Sequence, residues 1–416
     1  MRIGIIATKL KGTLGVSVEV EKWSKVLTRL GHELFYCAGE LDGFAKLGEL
    51  IPSLHGADQS IRSLSHQAFM EGTRADGEQL CDQIYAKADE IRAPLRHFIR
   101  SNHLELIIVQ NALTIPMNLP LGVCLTGLIA ELGIPTIAHH HDFFWENERF
   151  RSSQAVLELL DTAFPADLPT LQHVTTNSIA KTRLKVRRRI DSTVIPNVFD
   201  FASPIPGIDG YNQDFRADLG LGDNDLFILQ PTQILPRKGI EIAVDLVSRL
   251  NPGKGKLFIT HRPEDEGIAY WHWLKREAGL FGVEVVLIDH LIGTERAKIN
   301  HHKIYSFRDA YLYADLVTYP SLYEGFGNAL LETIYFKRPA VVNRYPVYSA
   351  DIRPLGFDFI ELDGFINENK AEQIRQLLKD PDRIHEMAEK NYRIAQEHFS
   401  FEVLEKQLAA LIASFS

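Results

Sequence analysis

Disulfide chemistry is nearly absent from this sequence. Its three cysteines, Cys37, Cys81 and Cys124, are far apart and odd in number. That excludes a disulfide framework and a cysteine metal site, and fits a reducing compartment. Long apolar runs are also missing: no stretch approaches the roughly 20 residues of a membrane-spanning helix. Met1 and Arg2 run directly into IGIIA, without the longer apolar region and small-residue cleavage site of a signal peptide. That start reads as a first buried strand, and the cytoplasm is the expected location. Basic charge is in deficit. With 45 Lys and Arg against 54 Asp and Glu, the net charge is -9, which disfavours nucleic acid or an anionic membrane as the main partner. No internal repeat, low-complexity tract, G-x-G-x-x-G fingerprint or Walker spacing occurs.

What is present is the balance of an ordinary globular enzyme, 45% hydrophobic and 24% charged. A chain of 416 residues exceeds one compact core, so two domains are expected. Short apolar runs predict strands at 3–7, 104–109, 135–138, 226–229, 257–260, 283–288, 316–319 and 340–343. Most are continuous rather than alternating, the pattern of parallel strands covered on both faces. Helical patterns fill the gaps. Val16, Val20, Trp23, Leu27 and Leu30 share one helical face, with Glu19, Lys22, Lys25 and Arg29 expected on the other and Gly31 as the stop. Two runs of strand–helix alternation predict an α/β protein of two doubly wound domains. The turn-rich stretch 197–215 marks the break between them, and 53–75 reads as a loop within the first domain.

Four segments carry candidate chemistry. The 9–16 loop, KLKGTLGV, joins the first strand to the first helix, and Gly12 and Gly15 let its backbone approach an anion. HHHD at 139–142 follows a strand, where such folds bind ligands. Three consecutive histidines cannot all point one way, so a three-histidine metal site is not expected. One histidine held by a neighbouring carboxylate is the better reading. The aromatic and acidic residues that follow, Phe143, Phe144, Trp145, Glu146 and Glu148, suit a sugar: rings stack on pyranose faces and carboxylates accept from hydroxyls. Arg237 and Lys238, before a helix starting near Ile240, place two cations beside a helix N-terminus, as a diphosphate requires. PSLYEGFGNALLE at 320–332 has a tight Gly325/Gly327 loop after a strand, a helix starting at Asn328, and Glu324 and Glu332 eight residues apart.

That last element resembles the paired-glutamate motif of retaining glycosyltransferases of the GT-B fold, in the family-4 group. VIPNVFD at 194–200 resembles the element closing that group's N-terminal domain, and Leu30-Gly31-His32 the element after its first helix. The resemblance spans nearly the whole chain. It implies two Rossmann-like domains with a ligand cleft between them. Residues 1–200, with a returning helix at about 399–416, would form the acceptor-side domain, and 201–398 the nucleotide-sugar domain. Glu324 would contact the transferred sugar and Glu332 the nucleotide ribose. Lys238 would neutralise the diphosphate, with Asn328, Ala329 and Leu330 offering backbone contacts. Gly15 would let the first helix approach the diphosphate, and His141 would hydrogen-bond the donor sugar. The catalytic set is then His141, Glu324 and Lys238. Two positions depart from the pattern: Gln233 stands where the group has an arginine, leaving Arg237 as its substitute, and Leu14 stands where the first glycine of a pair is expected.

A retaining transfer needs no metal and no cofactor, because the cations and helix-start amides stabilise the leaving diphosphate. The nucleotide-sugar is a substrate. The basic run Lys181, Arg183, Lys185, Arg187, Arg188 and Arg189 reads either as a solvated helix face or as a site for an anionic acceptor. Asp142, Trp145 and Arg183 are the candidate acceptor residues. QNALTIPMNLPLG at 110–122 and HHHDFFWENERF at 139–150 resemble mannosylglucosylglycerate synthases, which make a compatible solute from GDP-mannose. The expected function is hexosyl transfer to a small, anionic acceptor such as a glycosyl-glycerate. Its rivals are a UDP-glucose-dependent enzyme like sucrose-phosphate synthase, a membrane-associated lipid glycosyltransferase and a non-catalytic sugar-binding relative.

Overall fold

The computed structural model of the chain describes residues 1–12, 15–69, 77–150, 156–222, 224–250, 255–300 and 302–415. The chain divides into two compact units, Met1–Asn197 with Phe401–Ser416, and Val198–Ser400.

The first unit runs β1 (Arg2–Ala7), α1 (Val16–Arg29), β2 (Glu33–Ala38), β3 (Glu49–Leu50), α2 (Gln59–Phe69), α3 (Gly77–Ser101), β4 (Leu106–Gln110), α4 (Leu119–Leu132), β5 (Thr136–His140), α5 (Leu157–Ala163), β6 (Leu171–Thr175), α6 (Ser178–Arg188) and β7 (Thr193–Val194). Its seven strands form a parallel sheet in the order β3-β2-β1-β4-β5-β6-β7. Successive residues Ile107, Ile108 and Val109 are all buried, so both faces of the sheet are covered. The strand order reverses at β1, between β2 and β4, and such a reversal opens a crevice at the carboxyl ends of the strands.

The second unit runs α7 (Phe215–Asp218), β8 (Ile228–Gln230), α8 (Ile240–Leu250), β9 (Gly255–Ile259), α9 (Ile268–Leu280), β10 (Val283–Leu287), β11 (Ile292–Gly293), β12 (Ala297–Ile299), β13 (His302–Ser306), α10 (Phe307–Tyr313), β14 (Leu316–Tyr319), α11 (Asn328–Tyr335), β15 (Ala340–Asn343), β16 (Ile360–Leu362), α12 (Glu368–Leu377) and α13 (Pro381–Phe399). A parallel six-stranded sheet has the order β10-β9-β8-β14-β15-β16, and β11, β13 and β12 make a separate small sheet. The reversal here lies at β8, so the loops after β8 and β14 open side by side. The last helix, α14 (Phe401–Ala413), belongs to the first unit and packs along α1, with the Arg29 guanidinium 5.2 Å from the Phe401 ring centre.

The α/β architecture with two Rossmann-like domains is as the strand–helix alternation implies. Three details differ. Most of the segment 53–75 that reads as a loop is α2 where it is described: Ile61, Leu64 and Ala68 are buried on one face of a helix whose other residues, Phe69 apart, are polar. The strand β6, LQHVT, carries no continuous apolar run and escapes the pattern, whereas β2 is a strand the pattern does not name although 34–38 are apolar throughout. On α1, Glu19 and Lys22 do not face solvent. Glu19 is 1% exposed and Lys22 8%, and their side chains pair at 2.6 Å. Periodicity assumes that one side of a helix is wet, but these two charges are buried and compensate each other.

Candidate active site

In the second unit the loops after β8 and β14 meet. Gly239 has φ +58°, and a Cβ there would lie 2.6 Å from the Pro320 carbonyl oxygen. The Leu322 N–H donates to the Arg237 carbonyl at 2.8 Å. This approach brings side chains 86 residues apart into one cluster. The Lys238 ammonium lies 2.5 Å from Glu324 Oε1, and Arg237 donates to Glu324 Oε2 at 3.0 Å. The Ser321 hydroxyl donates to Oε1 at 2.7 Å. Asn343, at the end of β15, holds the loop by donating to the Ser321 carbonyl at 3.0 Å. Burial alone would raise the Glu324 carboxyl, but the Lys238 and Arg237 charges and the hydrogen bonds hold it below its ordinary value. Burial also lowers Lys238, against the pull of Glu324. Glu324 is therefore an anion inside protein, fixed by two cations.

Gly327, at φ +133°, caps α11, and a Cβ there would meet the Tyr345 and Tyr319 hydroxyls at 2.9 and 3.0 Å. Asn328, Ala329 and Leu330 form the first turn of α11 as expected. The Leu330 N–H already donates to the Gly327 carbonyl at 3.1 Å. Glu332 Oε2 accepts from the buried Tyr311 hydroxyl at 2.9 Å. His261, just after β9, stacks on Phe307 with ring centres 4.9 Å apart. Burial, and then the Lys238 charge, push its imidazole down to about 4. Sequence reasoning missed Ser321, Asn343, Tyr311 and His261. Only Ser321 stands inside a motif, and the others reach the site from separate strands and helices.

In the first unit the three histidines alternate as strand geometry demands. His140 bonds the Thr114 hydroxyl through Nδ1 and His173 through Nε2, the latter at 2.9 Å. His139 and His141 lie together, their ring centres 4.3 Å apart, and Trp23 of α1 stacks on His139 at 4.2 Å. His141 Nε2 lies 3.3 Å from Gln110 Oε1, and its backbone N–H donates to Asn111 Oδ1 at 3.1 Å. The recorded partner of this ring is thus an amide rather than the carboxylate expected from sequence. Burial pushes His141 and His173 down to about 4, and His139 and His140 well below the ordinary imidazole value.

Asp142 follows, half-buried. Trp145 stacks on Phe143 with ring centres 4.5 Å apart, and the Arg187 guanidinium lies 5.5 Å from its ring. Arg183 pairs with Glu146, whose other oxygen accepts the Phe143 N–H at 3.0 Å. Lys185 pairs with Asp191 and Arg188 with Asp161, so much of the basic run on α6 is compensated locally. Gly15, at φ +61°, precedes α1, while Leu14 lies outside the described residues.

Residues 295–394, which include Glu324 and Glu332, match the family described as glycosyl transferases group 1. Over 95% of its length the chain is 32% identical to a mannosylglucosylglycerate synthase of Thermotoga maritima, covering 96% of that protein. It is 30% identical to a mannosylglucosylglycerate synthase of Petrotoga mobilis over 98% of this chain and all of that one. A glycosyltransferase from Rickettsia africae shares the fold, with a TM-score of 0.69 at 12% identity, over 99% of this chain and 98% of the other. With kinship of that extent, and with the paired glutamates set on a strand–loop–helix of the second unit, this chain is a glycosyltransferase and belongs to the group 1 family.

Proposed function

We propose that this enzyme moves a mannosyl unit from GDP-mannose to a glycosyl-glycerate, with retention of configuration. The observation that carries the acceptor class is the near-full-length relationship to two mannosylglucosylglycerate synthases. GDP-mannose rests on the sequence resemblance alone. In this reading the bond from the anomeric carbon to the diphosphate oxygen breaks as that carbon gains oxocarbenium character. Lys238 and Arg237 stabilise the departing diphosphate, together with the first amides of α11 and the approach of α1 at Gly15. Glu324 meets the transferred sugar, Glu332 the ribose, and His141 a sugar hydroxyl. The acceptor hydroxyl attacks from the face the diphosphate leaves, and its proton passes to a leaving phosphate oxygen. Asp142, Trp145 and Arg183 are the proposed acceptor contacts. No metal or cofactor takes part, and the enzyme works in the cytoplasm. Among the described residues no helix is long and apolar enough to cross a membrane.

The test is incubation with GDP-mannose or UDP-glucose and glucosylglycerate, with the product read by mass spectrometry and its anomeric configuration by NMR. A mannosylated product of retained configuration is expected. A product from UDP-glucose alone would move the enzyme to glucosyl transfer. Melting curves with GDP and UDP run beside it, since a ligand of the folded state raises the melting temperature. No shift with either nucleotide would indicate a non-catalytic relative.

A further inference from the structure

The geometry points to Gln110 as the residue that fixes His141 in one neutral tautomer, with the proton on Nε2 and Nδ1 offered as a hydrogen-bond acceptor to a sugar hydroxyl. The hydroxyl rests on the proposed function; the tautomer does not. Gln110 ends β4, in register with Ala7 of β1 on one side and His139 of β5 on the other. Its Oε1 faces His141 Nε2 at 3.3 Å. An amide oxygen has only lone pairs to offer, so the ring nitrogen facing it carries the hydrogen. Nδ1 of His141 has no recorded partner among the described residues, and it is left with the bare lone pair.

The surroundings hold the ring in that pose. The Asn111 side chain grips the His141 backbone N–H, and Asn111, at φ +57°, turns there because its own N–H donates to the His139 carbonyl at 2.9 Å. Trp23 stacks on His139, whose ring leans against His141 at a tilt of 44°. His139 supplies only that ring contact, since among the described residues neither of its nitrogens has a hydrogen-bond partner. Gln110 is 2% exposed, and its Nε2 is sealed without a partner among the described residues. A methionine would fill the same space without a stranded amide. The residue is explained by what its carbonyl does: Gln110 is a positioning residue. Burial keeps the imidazole uncharged through the neutral range, so with Nε2–H given to Gln110 the ring accepts from a hydroxyl through Nδ1 and has no second N–H to donate.

The experiment is long-range proton–nitrogen NMR on the full chain with nitrogen-15-labelled histidine, the His141 signals being identified by their loss in His141→Gln. The expected spectrum shows a protonated Nε2 and a bare Nδ1, unchanged from pH 8 to about pH 5. A protonated Nδ1, or titration near the ordinary imidazole value, overturns the proposal. Gln110→Met should put both tautomers in exchange and lower kcat about tenfold, with the GDP-induced melting shift intact. Gln110→Glu keeps the shape and should raise the titration midpoint, because a carboxylate favours imidazolium. An unchanged tautomer in Gln110→Met overturns the role of Gln110. A lost tautomer with full transfer activity leaves Gln110 as the lock and removes His141 from the reaction, a failure of the proposed function instead.

Discussion

Glu324 sits among two cations, whereas His141 sits among an amide and aromatic rings. Both sites lie at the carboxyl ends of parallel strands near a reversal of strand order, so topology does not explain the contrast. The ligand chemistry proposed for each would. A diphosphate carries charge into protein and needs fixed cations already in place. A sugar hydroxyl is neutral, and a charged partner would only add a desolvation cost. Among the described residues, four histidines that desolvation keeps neutral lie in the first unit (His139, His140, His141 and His173), against His261 in the second.

The contrast can be broken at its ionic end first. Glu324→Gln should lower kcat on the order of a hundred- to a thousandfold, while the nucleotide-induced melting shift survives. Near-normal turnover would remove Glu324 from the reacting site. Lys238 and Arg237 should separate. Lys238→Met is expected to cost about a hundredfold in kcat/KM and Arg237→Met about tenfold, or ~2.7 against ~1.4 kcal/mol. The reason is exposure: the Arg237 side chain is 43% exposed and that of Lys238 10%, and screening weakens the outer charge. Equal losses in steady-state assays would mean that both cations touch the diphosphate alike.

Acid sharpens the comparison. An imidazole whose folded value is about 4 against an ordinary 6.5 gives its stability above 6.5 and loses it as pH falls from there toward 4, because the unfolded chain binds the proton first. That loss is about 3 kcal/mol for one such group. Glu324, held below its ordinary 4.5, keeps its contribution until pH falls below 4.5. Calorimetry at pH 8 and pH 5.5 should therefore show the first unit losing more stability than the second, and His173→Gln should flatten that slope. Parallel loss in both units would contradict the assignment of neutral, buried imidazoles. The smallest effect belongs to Arg183→Ala. Its partner Glu146 already holds it in a part-buried ion pair, the Glu146 side chain being 12% exposed. The acceptor KM should then rise no more than about threefold. A rise of a hundredfold would make Arg183 the main anion contact.

The sequence showed the second site more plainly than the first, for a physical reason. Glu324, Glu332 and the α11 start lie within thirteen residues on one strand–loop–helix, where local spacing fixes geometry. The strands β14 and β15 are mostly apolar and buried along their whole length, and they fall where the pattern puts them. The histidine site is assembled from α1, β4 and β5, and no local spacing shows that Gln110 will face His141 or that Trp23 will stack on His139. The strand β6 hides its nature by burying His173 in mid-strand. The paired burial of Glu19 and Lys22 also escaped periodicity, since a charged residue reads as solvent-facing until its buried partner is known.

The backbone approach at Gly239 has a consequence for protein engineering. Because the Pro320 carbonyl leaves no room for a side chain there, and Leu322 is hydrogen-bonded to Arg237, the loops after β8 and β14 are one transplantable part rather than two. Exchanging either with a relative of different donor preference would set mismatched main chains against each other, so a chimera intended to change the nucleotide must carry both.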